Sequence, residues 1–172
     1  MHWQYIIKNA RGCYMDELKP NAIVCDIYHS GLFVTYTTIQ PLRSERGIRA
    51  QLWDMDRWQT DPEEKPPYDL EGENVYVILE LETINNIELV PDSTEDSILQ
   101  DGIGLYDTAT VIIGTVDGFS LSDKIQIKIE SLEIPLLVEK PRRQNAPIAQ
   151  IGDKIKASGV LDCYINIPIS EI

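Results

Sequence analysis

The sequence has few of the side chains that enzymes most often use for chemistry. It holds two histidines, His2 and His29, and three cysteines, Cys13, Cys25 and Cys163. An odd number of cysteines in a chain of 172 residues, with no Cys-x-x-Cys pair, argues against a disulfide framework. This cysteine usage favours a reducing compartment.

Long apolar runs are also missing. The first eight residues contain no apolar run of the length that a signal peptide needs. No stretch of the chain approaches the roughly 20 apolar residues that cross a bilayer as a helix. We therefore expect a cytoplasmic protein with no membrane partner.

The phosphate-binding and nucleophile motifs are absent. The chain has no Gly-x-x-x-x-Gly-Lys loop and no Gly-x-Ser-x-Gly elbow, and Gly102-Ile103-Gly104 lacks the third glycine of a dinucleotide-binding turn. Cys25 and His29 are four residues apart on a predicted strand, about 13 Å, which is too far for a nucleophile and its base or for two ligands of one metal. We predict that Cys25 and Cys163 lie in the core and that the protein has no cofactor, and these absences favour a non-enzymatic protein over an enzyme.

Helical patterns are scarce, and a period of two dominates. Short helices are predicted only near 12–18 and near 94–100, where Ser93 and Asp96 resemble a capping box. Alternating or β-branched runs predict strands at 23–29, 32–39, 48–53, 74–82, 87–90, 109–116, 124–130, 133–139 and 154–167. The predicted fold class is mostly β, an antiparallel barrel or sandwich. We expect one domain, 1–172; the alternative is an acidic unit, 1–108, followed by a second β unit, 109–172.

Turn residues predict how these strands connect. Asn85-Asn86 is expected to pair 87–90 with 74–82, and Asp117-Gly118 is expected to be a hairpin turn. Pro135 places its strand at an edge or a bulge, and an edge there leaves homo-oligomers open. Gly159 interrupts an apolar face and predicts a sharp bend.

The charge is strongly negative and unevenly distributed. The net charge is −13, and residues 1–108 carry 8 basic against 20 acidic residues. Such a surface repels nucleic acid and favours a basic protein partner, although acidity also simply keeps proteins soluble. Acidic residues concentrate in two predicted loops, 57–73 and 91–108.

The first acidic loop offers two further interpretations. Trp58 beside it is a candidate protein contact, or else it packs against the loop. The oxygen ligands Asp54, Asp56, Asp61, Glu63 and Glu64 suggest a divalent cation site or a paired-carboxylate hydrolase, although their spacing does not match an EF-hand loop.

The last third of the chain resembles part of an OB-fold barrel. The resemblance rests on the strand ending in Gly114-Thr115-Val116, on the Ile125, Ile127 and Ile129 strand, and on the Gly-Asp-x-Ile-x-x-x-Gly-x-Leu pattern of residues 152–161. OB-folds bind single-stranded nucleic acid or oligosaccharide. The resemblance implies binding through exposed aromatic and basic residues, here Phe119, Lys124, Lys128, Arg142, Arg143, Lys154, Lys156 and Tyr164.

The leading hypothesis from the sequence is a non-enzymatic β-rich module that offers its acidic loops to a basic protein partner. An OB-like binder is the alternative, with nucleic acid disfavoured by the net charge. A small hydrolase or metal-binding protein is third.

Overall fold

The computed structural model describes residues 18–30, 34–52, 70–83, 87–102, 108–141 and 149–165. These ranges contain eleven strands: β1 (Ala22–Ser30), β2 (Val34–Pro41), β3 (Ile48–Leu52), β4 (Asn74–Val75), β5 (Val77–Thr83), β6 (Glu88–Leu89), β7 (Ser97–Leu99), β8 (Ala109–Phe119), β9 (Ile125–Ile129), β10 (Leu132–Val138) and β11 (Lys154–Ile165). The predicted mostly-β class with a barrel is confirmed.

Five strands close into a barrel. β8, β9 and β10 follow one another as an antiparallel meander, and β10 pairs in parallel with β5. β11 then pairs with both β5 and β8, which closes the ring. Along β9 the predicted alternation holds, because Ile125, Ile127 and Ile129 are buried while Lys128 is exposed. The ring draws β5 from the first 108 residues and its other four strands from the remainder.

A second sheet is joined to the barrel through β11. The end of β11 pairs in parallel with β3, and β3, β2, β1 and β4 continue outward in antiparallel order. Gly159 lies where β11 passes from its pairing with β8 to its pairing with β5. A Cβ atom at this position would lie 1.9 Å from the carbonyl oxygen of Glu82, so only glycine fits. Gly159 thus marks a close approach of two backbones at the point where β11 changes its partner strand.

The core follows the two-residue period on β2, β3 and β9, whereas β5 and the C-terminal halves of β10 and β11 have consecutive buried residues. On β2 and β3 the buried residues alternate strictly. On β1 the register with β2 shifts between Val24 and Asp26, a β-bulge at Cys25. Val24 and Ile27 are therefore buried while Cys25 is exposed, so the prediction that Cys25 lies in the core was wrong. Cys163 is fully buried, as predicted.

Three local predictions need correction. Residues 94–100 are not a helix: residues 91–94 form a turn closed by the bond from Thr94 N to Pro91 O, and β7 follows. Asp117-Gly118 is a bulge inside β8, and the hairpin turn comes later, at residues 120–123, where Asp123 has a φ of 64°. β6 pairs with β11 and not with the strand before it.

Pro135 lies at a break in the register between β9 and β10, which confirms the predicted bulge. β10 is nevertheless not an edge, because β9 and β5 flank it. The helix predicted at 12–18 falls outside the described residues.

Candidate functional site

The structure places only some of the predicted site residues. Trp58, Arg142 and Arg143 lie outside the described ranges, as do the candidate metal ligands of the first acidic loop, 54–64. The remaining six candidates are Phe119, Lys124, Lys128, Lys154, Lys156 and Tyr164. The fold divides them into separate groups.

Lys124 belongs to a mostly buried ion pair on the outside of the barrel. Its Nζ lies 2.8 Å from Oε2 of Glu80, and the two side chains are only 20% and 7% exposed. Glu80 on β5 is directly opposite Asp162 on β11, and both residues are buried. Lys124 therefore neutralises part of a buried acidic pair and ties β9 to β5 across β10.

Lys154 has a similar structural part on the other side of the barrel. Its side chain is 14% exposed and crosses β8 to reach Asp96, with Nζ 3.0 Å from Oδ1. The same Nζ donates a 2.6 Å hydrogen bond to the carbonyl oxygen of Thr94. These contacts hold the segment before β7 against the barrel.

Lys128 and Lys156 are exposed on neighbouring positions of the same three-stranded surface. Lys128 and Lys154 flank Thr115 on β8 in one row across the sheet, and Lys156 lies two residues further along β11. Tyr164 lies eight residues further along β11 than Lys156, in the part of the strand that pairs with β5. The predicted common face of Lys154, Lys156 and Tyr164 is therefore not assembled as one compact site.

Phe119 lies at one end of the barrel together with exposed apolar neighbours. Its ring is 41% exposed, and Nζ of Lys140 lies 5.3 Å from the ring centroid. Lys140 also pairs with Asp123 in the hairpin turn at 2.6 Å. Leu121 in that turn is almost fully exposed.

The acidic residues show a pattern that sequence reasoning did not use. Residues 66–123 form a stretch of 58 residues with 13 Asp and Glu and no Lys, Arg or His. Lysines that come later in the chain neutralise three of these carboxylates, on Glu80, Asp96 and Asp123. A scan for the longest segment without a basic residue would have found this region.

The middle of this stretch forms the surface that we call the β6–β7 acidic surface. It is defined by the exposed acidic residues and leucines of the segment 88–101: Glu88, Leu89, Asp92, Glu95, Leu99 and Asp101. Leu89 and Leu99 are 52% and 42% exposed, so carboxylates alternate with apolar groups. Lys156 lies opposite Glu88, so acidic neighbours weaken its attraction for an anion.

The described cysteines do not have the properties of catalytic nucleophiles. Burial, reinforced by the neighbouring charge of Asp26, raises the pKa of the Cys25 thiol. Burial likewise raises the pKa of Cys163, well above its ordinary value. A raised pKa lowers the thiolate fraction at neutral pH, which is the opposite of activation.

Within the described ranges, no group of three or more His, Cys, Asp or Glu side chains is arranged to hold a metal ion. The same ranges contain no helix with the length and apolarity to cross a membrane. No protein-family model, no curated protein and no solved structure matches this chain.

Proposed function

We propose that this protein is a non-enzymatic β-barrel interaction module that binds a basic protein partner through its acidic surface. The observation that carries the proposal is the 58-residue stretch without a positive charge, whose middle part is exposed as the β6–β7 acidic surface. Lys124 and Lys154 neutralise the carboxylates of Glu80 and Asp96. Glu88, Asp92 and Glu95, in contrast, are exposed to solvent.

The composition of this surface suits a protein partner better than a metal or a small ligand. Exposed carboxylates steer a basic surface toward the molecule and set its orientation. Leu89 and Leu99 supply apolar area that is removed from water when a partner covers it. Both features lie on one continuous segment, residues 88–101.

Neutralising three acidic residues on the surface, and three away from it in a matched control, tests the proposal. A labelled peptide of alternating lysine and serine is titrated with the protein and followed by fluorescence anisotropy at low and physiological salt. Changing Glu88, Asp92 and Glu95 to Gln or Asn should weaken binding about tenfold, because each rim charge contributes a few tenths of a kcal/mol. The matched control changes three exposed acids elsewhere, Asp26, Glu82 and Asp117, and should weaken binding much less. Equal losses in the two variants would refute a specific acidic surface.

The second candidate function is an OB-like binder of single-stranded nucleic acid or oligosaccharide. The closed five-stranded barrel supports it, as does the exposed ring of Phe119 beneath Lys140. β10 ends, and β11 begins, at the end of the barrel that carries Phe119.

Anisotropy of labelled DNA and RNA single strands distinguishes the two functions. Binding that survives physiological salt and falls when Phe119 is changed to Ala would favour the OB-like function. No binding even at low salt would remove the nucleic-acid branch and leave the acidic surface as the functional site.

A further inference from the structure

A groove of about 240 Å³ separates the start of β3 from β7. Its lining includes the apolar side chains of Ile48, Ile98 and Leu132 and the backbone of Gly47. The groove therefore lies between β3 of the outer sheet and β7, which pairs with the barrel strand β8 from outside the ring.

Within the part of the chain that the structure describes, no strand pairs with the edge of β7 that faces away from β8. Val116 uses both its N–H and its C=O to bond the turn before β11, at residues 152–153. Backbone groups alternate between the two edges of a strand, so Ile112, four residues earlier, also faces β11. Ile112 is opposite Ile98 in the register, which makes this a pair without mutual hydrogen bonds. The N–H and C=O of Ile98 consequently point away from β8.

On the edge of β3 that faces the groove, one side chain forms hydrogen bonds with the strand backbone. The carboxamide of Gln100 accepts a 2.9 Å bond from the N–H of Arg49 and donates a 2.6 Å bond to the Arg49 carbonyl. A neighbouring strand would make this same pair of bonds, so the Gln100 side chain substitutes for a peptide group. Gly47 lines the groove immediately before β3, and extending the alternation by this one residue directs its N–H and C=O to the same edge.

The charges around the groove are mostly negative. Arg43 pairs with Glu133, and Asp96 pairs with Lys154, so these four groups neutralise one another. Arg46 in the lining and Arg49, whose backbone bonds the lining residue Gln100, are cations near the groove. Four carboxylates are exposed beside lining residues: Glu45, Glu95, Asp101 and Glu130. The groove is complementary to a basic ligand.

We propose that this groove binds an extended basic segment of the protein partner by β-augmentation, with main-chain hydrogen bonds to Ile98 of β7 and Gly47 beside β3. An apolar side chain of the segment packs on Ile48, Ile98 and Leu132, and its basic side chains face the surrounding carboxylates. This inference rests on the proposed function, since it specifies which element of the basic partner binds.

A peptide of alternating lysine and valine and its fully N-methylated counterpart test the inference. Both peptides carry the same charges and side chains, but the second has no backbone N–H. The Ile98→Pro variant removes the outward N–H of Ile98 while leaving the bonds between β7 and β8, and Ile98→Val is the matched control that keeps the N–H. Binding is followed by fluorescence anisotropy with the full chain.

We expect the N-methylated peptide to bind the native protein at least about tenfold more weakly than the unmodified peptide does. We also expect Ile98→Pro to weaken binding of the unmodified peptide about fivefold, and Ile98→Val to leave it unchanged. If the two peptides bind equally well, and the Ile98→Pro and Ile98→Val variants bind with the same affinity, binding in the groove is refuted. The proposal that the acidic surface binds a basic partner is then unaffected. Absence of binding by either peptide at low salt would overturn both. If Ile98→Pro does not fold, the amide NMR signals of Gly47 and Ile98 in the native protein decide: they must shift on addition of the unmodified peptide.

Discussion

The barrel and the outer sheet differ in how the backbone groups at their strand edges are bonded. The barrel removes its edges by closure, since β11 pairs with both β5 and β8. Among the described strands, β1 to β4 of the outer sheet form no ring, so some of these strands have backbone groups that point away from the sheet. Single polar side chains bond some of these groups.

Two such side chains occur in the described residues. Glu71 accepts a 2.9 Å hydrogen bond from the N–H of Ile27 on β1 through Oε1. Gln100 bonds both backbone groups of Arg49 on β3. A closed ring gains stability from many shared bonds, whereas each capped edge depends on one side chain. The predictions below use this difference.

The largest effect is expected at the closure of the barrel. Gly159→Ala places a Cβ against the backbone of Glu82, where no flexible side chain can yield. We expect a loss of more than about 3 kcal/mol in the free energy of unfolding, or failure to fold. The control is Gly118→Ala, whose nearest contact is the flexible side chain of Gln126 at 3.1 Å. Chemical denaturation measures both, and similar losses would contradict closure at Gly159.

Removal of the barrel-crossing lysine should come next. Lys124→Ala leaves the carboxylate of Glu80 mostly buried without its ion pair. The expected loss is about 2–4 kcal/mol, toward the lower end because Lys124 is partly exposed. Lys128→Ala on the same strand removes an exposed amine and should cost little. A Lys124→Ala variant as stable as Lys128→Ala would disprove the structural part of this ion pair.

The cap on β3 should have a smaller effect. Gln100→Ala leaves the N–H and C=O of Arg49 without their partner, for an expected loss of about 1–2 kcal/mol. The exposed Gln150 gives the control, Gln150→Ala. Hydrogen exchange at the Arg49 amide should accelerate in the first variant only; an unchanged rate would mean that Gln100 does not protect this edge.

The cap on β1 should contribute less again, because Glu71 is an exposed residue that bonds one N–H. Glu71→Ala should cost about 0.5–1 kcal/mol and expose the Ile27 amide to exchange. Glu88→Ala serves as the exposed control. Identical Ile27 exchange in the two variants would rule out the cap.

The smallest effect concerns the reactivity of the two described cysteines. In a Cys13→Ser background, Cys25 on the outer sheet should react with iodoacetamide in the native state, and Cys163 in the barrel should react only after unfolding. Because the pKa of Cys25 is raised, its reaction at pH 8 should be slower than that of glutathione, and Asp26→Asn should speed it. Because the pKa of the Cys25 thiol is higher in the folded state than in the unfolded state, its contribution to stability depends on pH. The contribution is fully present below the unfolded-state pKa and is lost as the pH rises through the folded-state pKa. Native-state labelling of Cys163 would contradict the closed core.

The sequence predicted the strands because their side chains carry the period of two, as in the isoleucines of β9. It mispredicted β7 because a Ser-x-x-Asp spacing also occurs where tertiary contacts prevail: Asp96 pairs with Lys154 and accepts a bond from the N–H of Glu130. The bulge at Cys25 is a shift against the partner strand, so a local pattern cannot contain it.

The candidate site was predicted less well than the fold. Lys124 and Lys154 had the pattern of exposed strand residues, yet each has an acidic partner far away in the sequence. The edge groups of Gly47 and Ile98 follow from which strands pair, which composition does not encode. The excess of acidic charge, in contrast, was visible from the sequence alone.

Amide hydrogen exchange along β7 and β8 tests the central claim most directly, namely that the edge of β7 facing the groove is open while the barrel is closed. We predict slow exchange throughout residues 111–115 of β8, since their N–H groups bond alternately to β11 and to β7 or β9. On β7, the amide of Leu99 should exchange slowly and that of Ile98 fast. Equal protection of Ile98 and Leu99 would show that this edge is already occupied, and would contradict the account.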